Sequence, residues 1–225
     1  GTPTFPFAVS VGGGAGQKEM DLLAAGLVGR FDLYELSTER IERGRDLAER
    51  RGLADRIRFV HEDPFIAQDQ PRYDLVHWNN ALHHMLDVEV AIRWSHNILL
   101  PGGIFYMDDF VGPSRFQWSD RALAIASGVR AHLPERFMVS PRDPSRRLAR
   151  QLKRPRIEAM VSADPSEAAD SGRIVPTLRR VFPGADIVAT GGVVYHLALS
   201  DVLANFDLQD EADRERLDFL LALDE

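Results

Sequence analysis

The chain contains no cysteine. That absence excludes disulfides, zinc–thiolate centres and thiol nucleophiles, and it is compatible with a reducing cytoplasm. Lysine is almost missing as well: Lys18 and Lys153 are the two lysines, and arginine supplies the remaining basic side chains. Positive charge is in deficit overall, with 27 Lys+Arg against 34 Asp+Glu, a net charge of −7 and a pI near 5.5. A general nucleic-acid binder usually carries a basic face, so no nucleic-acid partner is expected. No apolar run approaches the roughly 20 residues that span a bilayer. No signal-peptide pattern precedes the first apolar run, so the expected location is the cytoplasm. What is present is enough for one full core: 225 residues, 44% of them hydrophobic. The expectation is a single domain over residues 1–225.

Strand and helix signals alternate along the first half. Phe7–Val11 is a short apolar run ended by glycines, and Gln17–Val28 carries Met20, Leu22, Leu23 and Leu27 at helical spacing. Phe31–Leu36, Ile57–Asp63, Tyr73–Asn79 and Ile104–Phe110 read as further strands. Thr38–Arg51 and Val88–Leu99 read as helices, stopped by Gly52 and by Pro101-Gly102-Gly103. This alternation implies an α/β fold, a mostly parallel sheet with helices on both faces.

The pattern then breaks. Residues 111–164 are rich in arginine and proline, with helical stretches expected at Asp120–Leu133 and Ser145–Gln151. A segment this long without strands reads as a helical insert after the fifth strand, serving as a lid or substrate wall. Pro165-Ser166-Glu167 opens a helix reaching about Phe182. Ala185–Leu199 reads as two strands joined at Thr190-Gly191-Gly192, a hairpin signal. Glu211–Leu223 reads as an amphipathic helix.

The segment "VGGGAG" lies between the first strand and the first helix. A bare turn there lets a ligand approach the backbone, with N–H groups of the helix start facing it. A dinucleotide loop needs G-x-G-x-x-G, and the sixth position here is Gln17. The loop fits G-x-G-x-G instead, through Gly12, Gly14 and Gly16, with Gly13 between them. Alone it also fits an ordinary tight strand-to-helix turn. Glu35 ends the second strand about 20 residues later, where an acid accepts from ribose hydroxyls in nucleoside-binding α/β folds. Its plainer alternative is a helix-start carboxylate beside Ser37. Glu62 and Asp63 end the third strand, where an acid can accept from a purine's amine or simply face solvent.

These segments together resemble the class I S-adenosylmethionine-dependent methyltransferases. "VSVGGGAG" is similar to the glycine motif, "LYELS" (with Glu35 and Leu36) to the acidic second-strand motif, and "HEDPF" (with Asp63 and Pro64) to the adenine-side motif. "YDLVHWNNALHHMLDVEVAIRWSHNILLPGGIFYMDDF" is similar to the fourth strand, the histidine segment and the turn before the fifth strand. The resemblance covers Phe7–Phe110 well and the final hairpin more weakly. It implies a seven-stranded sheet with an antiparallel last strand and S-adenosyl-L-methionine as cofactor. Asn79 is then expected at the methionine end of the cofactor. One departure is Ser10, where the family often places an acid that orders the loop or the cofactor amine; Glu19 or Gln17 is the candidate replacement.

The implied chemistry is in-line displacement at a sulfonium methyl, in which holding the partners collinear does much of the work. An oxygen nucleophile gains from a general base, whereas a neutral amine needs less help. The base candidates are His84 and then His83, which follow the fourth strand at the sheet edge where ligands bind in open α/β folds. Both also fit a packing motif. Asp108 and Asp109 end the fifth strand on the same edge and are candidates to orient a histidine, bind a substrate hydroxyl or hold a metal. With no third carboxylate in an obvious ligand pattern, no metal site is expected. His196 reads as a packed or edge histidine.

Arg115, Phe116, Gln117 and Trp118 follow a Gly-Pro turn. An arginine with two aromatics and an amide suits a sugar or polar ring, and equally suits a buried lid anchor. The basic run Arg142, Arg146, Arg147, Arg150, Lys153, Arg154 and Arg156 reads as a solvated face, with an anion site as the alternative. "NNAL" after the fourth strand is unlike the NPPY or DPPY of adenine-N6 and glutamine methylation, and the absent cysteine rules out the 5-methylcytosine adduct route. The expected activity is O-methylation of a small polar molecule or glycan. N-methylation of a small metabolite, a non-catalytic domain of a larger protein, and a nicotinamide oxidoreductase are the alternatives.

Overall fold

The computed structural model describes residues 2–66 and 72–224. Strands and helices follow in the order β1 (Phe5–Val11), α1 (Gln17–Ala24), β2 (Val28–Tyr34), α2 (Thr38–Arg50), β3 (Ile57–Val60), β4 (Tyr73–Asn79), α3 (Val88–Ile98), β5 (Leu99–Asp108), α4 (Asp120–His132), α5 (Ile157–Ala163), α6 (Ile174–Val181) and α7 (Glu211–Leu221). The chain forms two compact units, one of residues 1–115 with 157–185, the other of 116–156 with 186–225.

The first unit is built on a sheet of order β3-β2-β1-β4-β5, with every pair parallel. Successive side chains of a strand point to opposite faces. Ala8 and Val9 of β1 are both fully buried, so both faces of the central strand are covered. One face packs Val9, Val76 and Trp78 against Ile92 of α3 and Ile174 and Leu178 of α6. The other packs Ala8, Leu33 and Phe59 against Met20 and Leu23 of α1 and Ile41 of α2. Covering on both faces explains why the strands read as continuous apolar runs without polar alternation.

The expected seven-stranded sheet is corrected to five strands among the described residues, and the antiparallel last strand is not formed. The segment read as a hairpin carries no strand. Its second half is a helical turn over Val194–Ala198, started by the Asp224 carboxylate, which accepts from the N–H groups of Gly192, Val194 and Tyr195. Val194, Ala198, Leu199 and Val202 are buried, a spacing of four, one and three that belongs to a helix face. The β-branched residues there suggested strands, while packing and capping favour the helical turn.

Other boundaries also move. β5 begins at Leu99, and Pro101-Gly102-Gly103 forms an irregularity within it as the pairing passes from Tyr73–Leu99 to Leu75–Ile104. No helix forms at 145–151; Val139 and Arg147 make an isolated antiparallel bridge there. The α-helix expected from Pro165 begins only at Ile174, after turns at 165–170 and a single 3-10 turn over Ser171–Arg173.

The second unit has its own core of Ala126, Leu133, Phe137, Val194, Leu199, Leu217 and Leu220. Its buried Arg130 donates to the carbonyls of Ala149, Leu197, Ala198 and Ser200. In the basic run, Arg150 caps the end of α4 through the carbonyls of Arg130 and Leu133, and Arg154 pairs with Asp120.

Candidate active site

The turn between β1 and α1 bends through three left-handed glycines, Gly12, Gly14 and Gly16, with φ of 66°, 61° and 74°. At Gly16 a side chain would fail twice. The backbone is strained for any Cβ, and that Cβ would meet Leu33 and Ile57 at 3.1 Å. Gly14 faces more open space, its nearest neighbour being Arg40 Cδ at 3.9 Å from a modest Cβ. No side chain caps the start of α1, so its first N–H groups face the mouth of the turn. A cradle this bare, at a helix start, fits the carboxylate and backbone of an amino-acid tail.

Glu35 follows β2 and is tied to this turn. Its Oε2 accepts the Gly14 N–H at 3.0 Å and its Oε1 accepts the Ser37 N–H at 2.9 Å. Each carboxylate oxygen retains a further lone pair, enough for a pair of vicinal hydroxyls. Leu36 beside it is exposed. Beyond β3, Asp63 Oδ1 accepts the Phe65 N–H at 2.8 Å, closing a turn that includes the buried Pro64. Asn79 ends β4 and pairs in register with Asp108. These residues all stand at or just past the C-terminal ends of parallel strands, where ligands bind in open α/β sheets.

Glu19 lies under the turn. It is fully buried and its Oε1 accepts from Ser10 Oγ at 2.7 Å and sits 3.1 Å from His77 Nδ1. A Cβ at Gly13 would strike that same oxygen at 2.9 Å. A buried carboxylate from the first turn of α1 thus stands beside Ser10. His77, unsuspected from the sequence, completes the cluster.

The histidine pair follows β4 in a single helical turn, Leu82–His84. Asp109 organises it. The carboxylate is fully enclosed; Oδ2 accepts the N–H groups of Ala81 at 2.9 Å and Leu82 at 2.7 Å, and Oδ1 accepts from Phe110 N–H at 2.8 Å and His83 Nδ1 at 2.5 Å. Burial lowers the His83 pKa, but the hydrogen bond and charge of Asp109, with Glu167 and Asp164 beyond, outweigh it and leave it raised above the ordinary imidazole value. His84 is about one-third exposed, and its Nδ1 lies 3.0 Å from Ser166 Oγ. Ser166 in turn donates to Asp164, whose carboxyl is held below its usual range chiefly by that bond.

The turn at 164–169 is a part of the site that the sequence reading missed. It lies over 80 residues from the histidines and is held against them by the Ala169 N–H to His83 carbonyl bond at 3.2 Å. The local signal was Asp-Pro-Ser, a turn former in which Asp164 accepts from the Ser166 N–H. Arg115 pins this turn from outside, donating to the carbonyls of Pro165 and Glu167. Asp108 is exposed at the tip of β5. Phe116 and Trp118 belong to the second unit, where the Trp118 carbonyl accepts from Arg154 and its ring lies 6.3 Å from that of His196.

Several solved structures are similar to part of this chain. Among solved structures, the chain is similar to the N-methyltransferase NodS from Bradyrhizobium japonicum WM9 in complex with S-adenosyl-L-homocysteine, at 20% identity and TM-score 0.40 over 46% of this chain and 52% of that one. It is similar to an S-adenosylmethionine-dependent methyltransferase from Clostridium acetobutylicum ATCC 824, at 18% identity and TM-score 0.43 over 52% and 47%. It is similar to the mitomycin 7-O-methyltransferase MmcR, at 28% identity and TM-score 0.43 over 54% and 35%. The chain thus spans between 35% and 52% of the length of these structures. No curated protein matches the sequence. Residues 9–105 match the family model described as a methyltransferase domain. That match runs from β1 into β5 and takes in the bare turn, Glu35 and the histidine pair, so residues 9–105 are similar to a methyltransferase domain.

Proposed function

We propose that this chain methylates an oxygen of a small polar molecule or glycan, with His84 taking the proton of the acceptor hydroxyl. When bound, S-adenosylmethionine supplies a methyl on sulfonium that the acceptor oxygen displaces in line, leaving S-adenosylhomocysteine. The turn at Gly12–Gly16 receives the amino-acid tail and Glu35 receives the ribose hydroxyls. Asp63, Pro64 and Leu36 flank the base, and Asn79 lies at the methionine end.

The observation that carries the proton role is the contact of His84 Nδ1 with Ser166 Oγ at 3.0 Å. Ser166 gives its own proton to Asp164, so its oxygen is left to accept from His84 Nδ1–H. The proton of the neutral ring is thereby fixed on Nδ1, and the Nε2 lone pair is the one presented. His83 is buried against Asp109 and acts as a positioning residue for the turn. The exposure of Asp108 at the end of β5 supports a role in meeting acceptor hydroxyls. The net charge of −7 favours a small acceptor over nucleic acid.

A panel of hydroxylated and amino acceptors, scored by release of S-adenosylhomocysteine, tests the reading. His84→Ala is expected to lower turnover on a hydroxyl acceptor far more than it lowers cofactor affinity. An undiminished rate would remove the histidine base, and turnover confined to amines would replace O-methylation with N-methylation.

A further inference from the structure

We propose that His83, His84 and Glu167 form a binding site for a divalent first-row transition ion of the zinc or cobalt kind. One donor atom from each of these three side chains lies within 4.8 Å of the other two. His83 Nε2 stands 3.7 Å from Glu167 Oε1, and His84 Nε2 stands 4.0 Å from Glu167 Oε2. Ligands around a tetrahedral ion with bonds of about 2.1 Å lie roughly 3.4 Å apart. From a spread of up to 4.8 Å the site needs a contraction of at most about 1.4 Å, which Glu167 and His84, both about one-third exposed, can supply.

Proton placement makes the cluster a ligand set. Asp109 accepts three backbone N–H groups, and its Oδ1 accepts from His83 Nδ1 as well. Ser166 spends its proton on Asp164 and accepts from His84 Nδ1. When each ring holds a single proton, that proton sits on Nδ1 and both Nε2 atoms face the Glu167 carboxylate. Three acceptor atoms then converge, an arrangement that a proton or a metal cation between them relieves. The carboxylate behind one ring and the hydroxyl–carboxylate pair behind the other are the outer partners that orient metal-binding histidines. Arg115, through the carbonyls of Pro165 and Glu167, fixes the turn that delivers the third ligand.

Two imidazoles and one carboxylate select an ion of the zinc or cobalt type over magnesium or calcium, which take oxygen ligands. Three protein ligands leave at least one position for water or another ligand. Such an ion would occupy the His84 lone pair that the proposed methyl transfer uses, so loading and proton transfer by His84 exclude each other. The binding site itself stands without that reading, because it is measured with the ion alone.

The test uses the full chain, untagged and stripped of metal, titrated with Co²⁺ by visible absorption and with Zn²⁺ by calorimetry. One ion per chain is expected, with at least about tenfold weaker binding in Glu167→Gln and in His84→Gln. His132→Gln, an exposed histidine of the second unit, is expected to bind as the unaltered protein does. On the unaltered protein, ¹⁵N spectra of the histidine rings are expected to show the Nε2 signals of His83 and His84 moving together as zinc is added. That last readout needs no variant to fold. Absence of saturable one-to-one binding, or binding that leaves those two signals in place, overturns the proposal.

Discussion

Asp109→Asn is the substitution from which the structure derives the largest single effect. The native carboxylate has no exposed surface and holds two donors on each oxygen. Asparagine keeps one acceptor oxygen and replaces the other with an NH2 group. It can serve Ala81 and Leu82, or His83 and Phe110, and whichever pair it abandons then faces donor against donor. A hydrogen bond to a charged group contributes about 1.5–3 kcal/mol. Losing two such bonds predicts a loss of about 3–6 kcal/mol, towards the lower end if the bond to the adjacent Phe110 N–H is one of them. The measurement is urea unfolding followed by circular dichroism, reading a shift in midpoint at constant slope. Asp108→Asn is the internal control: its side chain is exposed one residue away, and its loss is expected within about 0.5 kcal/mol. A loss below about 1 kcal/mol in Asp109→Asn would show that the Leu82–His84 turn is held by packing and not by this carboxylate.

Gly14→Val places a β-branched residue at φ 61° and is expected to abolish S-adenosylhomocysteine binding; calorimetry showing native affinity would detach the turn from the cofactor. Glu35→Ala is expected to weaken the same ligand by about 1–3 kcal/mol, roughly 5- to 150-fold, as partners of buried hydroxyls are lost. Arg130→Ala leaves four carbonyls of the second unit without their donor and is expected to cost about 3–5 kcal/mol in urea unfolding, while Arg121→Ala on the same helix costs little. Asp213 is held below its ordinary range, first by the hydrogen bond from Arg136, so it contributes stability above the unfolded pKa and loses it as pH falls through the depressed value. The stability gap between the native chain and Asp213→Asn is therefore expected at about pH 7 and to close at about pH 2, and an equal gap at both would refute the ion-pair origin.

The parts of this protein that were legible share one property: their signal is local. β1, β2 and β4 are apolar runs largely buried on both faces and ended by glycine, acid and asparagine, and the glycine turn and the histidine pair follow strand ends directly. What was not legible depends on partners far along the chain. Glu167 reaches His83 and His84 only because the turn at 164–169 folds back, and nothing near Pro165 announces an imidazole 82 residues earlier. The segment at 185–199 misled for the same reason. Its β-branched residues favour a strand locally, but the Asp224 carboxylate gathers its N–H groups from the far end of the chain and starts a helical turn.

Ser10 and Glu19 show that function is written in positions in space more than in positions along a strand. A carboxylate beneath a glycine turn can hang from the strand before it or rise from the helix after it. Here the third residue of α1 carries it, and the strand contributes only the hydroxyl that donates to it. Burial of a carboxyl group this complete is tolerated only with partners, and Ser10 and His77 are those partners. Glu35 holds the turn from the side through the Gly14 N–H, while Glu19 closes the space beneath Gly13, so two carboxylates border one stretch of bare backbone. Removing either should loosen the same turn, and their effects on cofactor affinity should fall short of additive in a double-mutant cycle. Strict additivity of Glu19→Gln and Glu35→Gln would mean that the two acids act on separate parts of the site.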